Sequence, residues 1–155
     1  MKGKCSLFSS RHGESASGNI SFMPKSGEKA KFAKYIANRP DVDPNGMFDV
    51  IAHGNSDFIE ISNQGKDVRI KAREAAKIIK KNPDFRKSKS VRLFSCSTGS
   101  TINGFAQHLA NALGKPVYAP NMTIYANPQG AYWIEEKGKY GKFIKFVPGG
   151  YRNGK

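Results

Sequence analysis

A chain of 155 residues is expected to fold as one domain with a core of its own. A hydrophobic fraction of 38% excludes a disordered chain, and no apolar run approaches the roughly 18 residues that a membrane-spanning helix needs. Against 26 Lys and Arg stand 12 Asp and Glu, a formal charge of +14 that suits nucleic acid, an anionic membrane or an acidic protein partner.

Residues 1–18 are rich in Ser, Gly and Lys and read as a flexible leader, with residues 19–155 as a single α/β domain. The leader's basic residues are followed by no apolar segment, so no export signal is expected there. It carries Arg11-His12-Gly13-Glu14, which matches the motif of the histidine phosphatases. Those enzymes need a hydrophobic strand ahead of the motif, and Leu7-Phe8 is too little of one, so the string reads as a chance match. The two cysteines, Cys5 and Cys96, read as thiols, because one bridge to a polar terminus is not a disulfide framework.

Asn19 to Met23 alternates apolar and polar side chains and predicts a strand that Pro24 ends. Ser26 is expected to cap a helix whose inner face is Ala30, Phe32, Ala33, Ile36 and Ala37. Met47 to Ala52 is apolar apart from Asp49, the pattern of a buried central strand, and it runs into His53-Gly54. Phe58–Ile61 and Val68–Ile70 predict a hairpin around Asn63-Gln64-Gly65, and 71–81 a helix stopped by Asn82-Pro83. The lysines and arginines from Lys66 to Arg92 predict a solvated basic side, with a partner-binding face as the sharper alternative.

Val91 to Phe94 is the next core strand, and Ser95-Cys96 follows it. A helix is expected from about Thr101, with Ile102, Phe105, Ala106, Leu109, Ala110 and Leu113 on one face and Gly114 as its cap. Pro116–Ala119 predicts a further strand, and 122–125, 131–134 and 143–147 an antiparallel tail. Together these elements predict an α/β three-layer sandwich with a mainly parallel central sheet and an antiparallel C-terminal edge.

In such sheets sites form at the carboxyl ends of strands, where His53 and Cys96 both stand. Taken singly, a cysteine after a core strand is packing and a His-Gly is a strand end. Paired, they make a nucleophile and a base: a thiolate attacks, and an imidazole takes and returns the proton. The small residues Gly54 and Ser95 suit the backbone N–H donors that a tetrahedral oxyanion needs, and the helix near Thr101 is expected to direct its positive end toward Cys96. His12 lies in the leader, His108 is expected on the solvated side of its helix, no Cys/His spacing suits a metal, and no cofactor motif appears.

A hydrophobic strand ending in His53-Gly54, one helix, and a hydrophobic strand ending in Ser95-Cys96 resemble the caspase-like cysteine peptidases over residues 47–119. That superfamily includes caspases, gingipains, separase and the self-processing domains of bacterial toxins. The resemblance implies a peptidase with His53 as base, Cys96 as nucleophile, and Gly54 and Cys96 N–H groups as oxyanion hole. The stretch Val91 to Asn121 is also similar to C-terminal effector domains of bacterial polymorphic toxins of the contact-dependent inhibition and Rhs types. That likeness implies export within a larger protein, action in the target-cell cytoplasm, and a cognate immunity protein as partner. The charge supports another expectation, a basic nuclease or nucleic-acid-binding toxin domain without a catalytic cysteine.

Overall fold

Five short strands, numbered with the others in chain order, carry the core: β1 (Asn19–Ser21), β2 (Met47–Ile51), β6 (Ser90–Phe94), β7 (Val117–Pro120) and β11 (Phe143–Phe146). The structure, a computed structural model, describes residues 19–42, 46–63 and 65–150. The leader, with Cys5 and the Arg11–Glu14 string, lies outside the described residues. In the sheet the strands stand in the order β1-β2-β6-β7-β11. The first four run parallel, and β11 closes the far edge antiparallel to β7. The expected α/β class and sheet are therefore present.

The period of two along each strand sorts the side chains into two layers. Phe48, Val50 and Ala52, with Val91 and Leu93, face α2 (Ala72–Ile79) and α4 (Phe105–Leu113). Helix α2 turns Ala72, Ala75, Ala76 and Ile79 inward, and α4 contributes Phe105, Leu109 and Leu113. Burying each large apolar side chain contributes ~1.5–3 kcal/mol before chain entropy is set against it. On the other face, Ile51 and Phe94 meet Ile36 of α1 (Lys31–Ile36), together with Ile124 and Ile134 from β8 (Ile124–Ala126) and β9 (Tyr132–Glu136).

Several local expectations change. Ser26 is not a cap: Gly27, with φ of 87°, opens a 3-10 turn at Glu28–Ala30, and α1 follows it. Asn82-Pro83 stops α2 but also starts α3 (Pro83–Lys87), with the Asn82 side chain accepting from Asp84 N at 2.9 Å. The tail is antiparallel as expected but divides between two sheets. Only β11 joins the main sheet, while β8, β9 and β10 (Lys139–Tyr140) form a separate three-stranded sheet over the second face. The hairpin of β4 (Ile59–Asn63) and β5 (Lys66–Ile70) pairs with β3 (His53–Gly54), which continues β2. Among the described residues no helix is long and apolar enough to cross a membrane.

Arg92 leaves the solvated basic side to which its position assigned it. It is buried, and its guanidinium forms a fork on Asp49, Nε to Oδ1 and Nη2 to Oδ2, both at 2.9 Å. Arg39 Nε donates to the same Asp49 carboxylate at 2.9 Å, and Asp41 and the Tyr132 hydroxyl complete the network. Two guanidinium and two carboxylate groups balance in charge, which is the condition for burying them.

Candidate functional site

The ladder between β2 and β6 ends at Ile51↔Phe94, and Ala52 N still donates to Phe94 O at 3.2 Å. Two residues further along each strand stand His53 and Cys96. Cys96, in the turn after β6, packs into the cluster covered by α1, β8 and β9, and the His53 ring, in β3, reaches the Lys29 carbonyl in the 3-10 turn.

The loops behind them touch directly. A Cβ on Gly54 would come 3.0 Å from Thr98 Cγ2, so β3 lies close against the turn that follows Cys96. That turn is fixed by its own hydroxyls, with Thr98 Oγ1 donating to Ser95 O at 3.0 Å. It is also tied outward, by Ser97 N to Met122 O at 3.0 Å and Gly99 N to Pro120 O at 2.8 Å. Ser97 has φ of 58°, a left-handed conformation that a serine holds only when its surroundings dictate it.

His53 Nε2 lies 3.4 Å from the carbonyl oxygen of Lys29, in the 3-10 turn. A carbonyl only accepts, so the contact is a hydrogen bond in the tautomer that carries the proton on Nε2, and in that tautomer Nδ1 is the accepting nitrogen. Lys29 in turn pairs with Asp67 on β5, which fastens the turn to the hairpin. Cys96 Sγ lies 3.9 Å from Ile124 O and packs beside the apolar cluster of Ile51, Phe94 and Ile124. Among the described residues no hydrogen bond joins Cys96 to His53. Burial pushes the Cys96 thiol up, with smaller opposing pulls from the Ile124 backbone and its own. The resting group is therefore a neutral thiol.

Asn55 N donates to Phe58 O, so on the β3–β4 ladder the 54↔59 rung is a wide one and the Gly54 N–H turns away from β4. The Cys96 N–H hydrogen-bonds no backbone carbonyl among the described residues.

The helix contribution is different from that expected. Helix α4 begins at Phe105, not near Thr101, and Ile102 is 65% exposed rather than part of its inner face. Gly104, extended just ahead of the helix, lies where a Cβ would meet Thr101 Oγ1 and, at 2.7 Å, Ser56 O. Phe105 N is taken by Ser56 O and Ala106 N by Thr98 O, so these two first-turn donors hold the two loops instead of facing the thiol. His108 is exposed, with Nε2 2.8 Å from Asn103 Oδ1, and takes no part.

Sequence reasoning missed the Lys29 carbonyl, which has no side-chain signature, and the strain at Ser97. Among the described residues no group of three or more His, Cys, Asp or Glu side chains is placed to hold a metal ion. No curated protein sequence matches the chain. A family model does match, over residues 18–134, from just ahead of β1 into β9. The chain belongs to that family, described as a domain of unknown function, DUF8616.

Proposed function

We propose that the chain is a cysteine hydrolase, a peptidase working through Cys96 and His53. The observation that carries this reading is the placement of His53 and Cys96 just past the carboxyl ends of the paired strands β2 and β6, with the His53 ring 3.4 Å from the Lys29 carbonyl. In this mechanism His53 Nδ1 takes the Cys96 proton as the sulfur attacks the substrate carbonyl carbon. The oxyanion is met by the N–H groups of Gly54 and Cys96. Collapse breaks the C–N bond, and the imidazolium protonates the departing amine. Water, deprotonated by His53, then releases the acyl group and restores the thiol. The proton transfer comes with substrate, because the thiol at rest is neutral.

A peptide substrate is favoured by β8. Glu135 N donates to Thr123 O and Asn127 N to Ala131 O, so the rungs at Ile124 and Ala126 are wide ones. The N–H and C=O groups of Ile124 and Ala126 thus turn to the edge away from β9, where Ile124 O meets Cys96. No described strand pairs with that edge. An extended polypeptide added there would run past the sulfur.

The similarity of residues 91–121 to polymorphic toxin tips supports an effector delivered within a larger protein and acting in the target-cell cytoplasm. The charge of +14 suits an acidic immunity protein as its partner. The test is incubation with a mixed proteome, total RNA and plasmid. Proteolysis is expected, and Cys96→Ala and His53→Ala should each reduce it by about 10³-fold or more while far-UV circular dichroism is unchanged. Alkylation followed on the Cys96 peptide should rise with pH through a midpoint above that of the unfolded chain. Degradation of nucleic acid alone, insensitive to thiol blocking, would replace this reading with that of a basic nuclease.

A further inference from the structure

The small sheet that covers Cys96 has a second face, which the proposed chemistry does not use. On β9 the buried Ile134 points inward, so Trp133 and Glu135 point outward. The pairs Tyr125↔Trp133 and Tyr140↔Glu135 place both tyrosines on the same outer face. Tyr125 is 44% exposed, Trp133 37% and Tyr140 79%. The rings of Tyr125 and Trp133 stack with centroids 5.9 Å apart and planes 21° from parallel.

Aromatic rings are costly to leave in water, and three on one small sheet form a patch that invites a partner. At the same end of the sheet Lys137 and Lys142 are exposed, with no ion-pair partner among the described residues, while Lys139, opposite Glu136, alternates to the other face from Tyr140. Glu135 lies between Trp133 and Tyr140 and repels an anion at that point, which leaves the lysine side as the path for one. Flat rings beside unpaired cations, on a chain of charge +14, match a polymer with planar bases on an anionic backbone. A neutral sugar uses the rings but not the charge. An acidic polypeptide uses the charge but not the stack, and a duplex hides the faces of its bases.

We propose that the outer face of β8–β9–β10 binds single-stranded nucleic acid, with bases stacked on Tyr125, Trp133 and Tyr140 and phosphates along the lysines. This surface is distinct from the basic segment 66–92 and does not depend on the cysteine chemistry.

Trp133 is the one tryptophan of the chain, so its fluorescence reports on this face directly. The full chain is titrated with oligo(dT) and oligo(U) of about ten nucleotides, within the usual range of site sizes. Saturable quenching that weakens as salt rises is expected. Anisotropy of a labelled oligonucleotide then compares variants, and Tyr125→Ala or Tyr140→Ala should weaken binding about tenfold. Trp133→Phe, which keeps a ring and the fold, should weaken it less than Trp133→Ala. The proposal is overturned by absence of quenching at low salt. Equal quenching by polyglutamate, by the matching duplex or by a neutral oligosaccharide also overturns it, as does full affinity in Tyr125→Ala.

Discussion

Asp49 shows how much a single side chain can organise. It is fully buried in the middle of β2 and receives both Arg39 and Arg92. Arg92 also lies over the Phe94 ring, 4.7 Å from its centroid, one row before Cys96. Removing the carboxylate would leave two guanidinium groups in the interior with only Asp41 to balance them. Asp49→Ala is therefore expected to cost ~3–5 kcal/mol in urea unfolding, and a loss below about 1 kcal/mol would contradict the account. At the rim of the network, burial works to raise the Asp41 carboxyl, yet the Tyr132 hydroxyl and Arg92 hold it below the ordinary carboxylate value. A depressed carboxyl contributes stability above its unfolded pKa, and that stability is lost as pH falls through the folded value. Burial, with Asp41 as hydrogen-bond partner, pushes the Tyr132 hydroxyl up to about 12, so it stays a donor across the neutral range.

At the level of elements, the turn 95–100 is the piece whose placement matters most. Gly99 carries no side chain because a Cβ would lie 2.5 Å from Ala119 O on β7. Gly99→Ala is expected to cost about 1–3 kcal/mol by overpacking and to change the rate of Cys96 alkylation, with chemical denaturation and peptide mapping as the readouts. Unchanged stability would mean that the turn has room the structure does not show. Strands 47–51 and 90–94 and the inner face of α2 were legible because local period and burial agree there. Asn82-Pro83 was read only as a stop, although the same pair is an N-cap with proline in the first turn. Ile102 has helical spacing from Phe105, but spacing cannot reveal that Ser56 O occupies the space beside Gly104. The alternation of 122–125 and 131–134 is equally that of a sheet edge or a separate sheet. The partnership of Arg92 with Asp49 joins residues 43 positions apart, which no local pattern carries.

On the scale of the molecule, the parallel sheet has helices α2 and α4 on one face, and α1 with the β8–β10 sheet on the other. The candidate pair sits where the second layer meets the carboxyl ends of β2 and β6, and the aromatic face lies on the outside of that same layer. The carboxyl ends of β2 and β6, beyond which His53 and Cys96 stand, were legible in chain order alone. The β-edge beside Cys96 and the aromatic platform were not, because both arise from how the tail folds back. One connection spans the whole arrangement: the first turn of α4 gives Phe105 N–H to the loop after β3 and Ala106 N–H to the turn after Cys96. Neighbouring amides on one helix thus keep time for two loops that are distant in sequence. In hydrogen–deuterium exchange Phe105 and Ala106 should open at one common rate, and Gly99→Ala should quicken both together. Acceleration of Ala106 alone would mean that the His53 and Cys96 loops move as separate bodies.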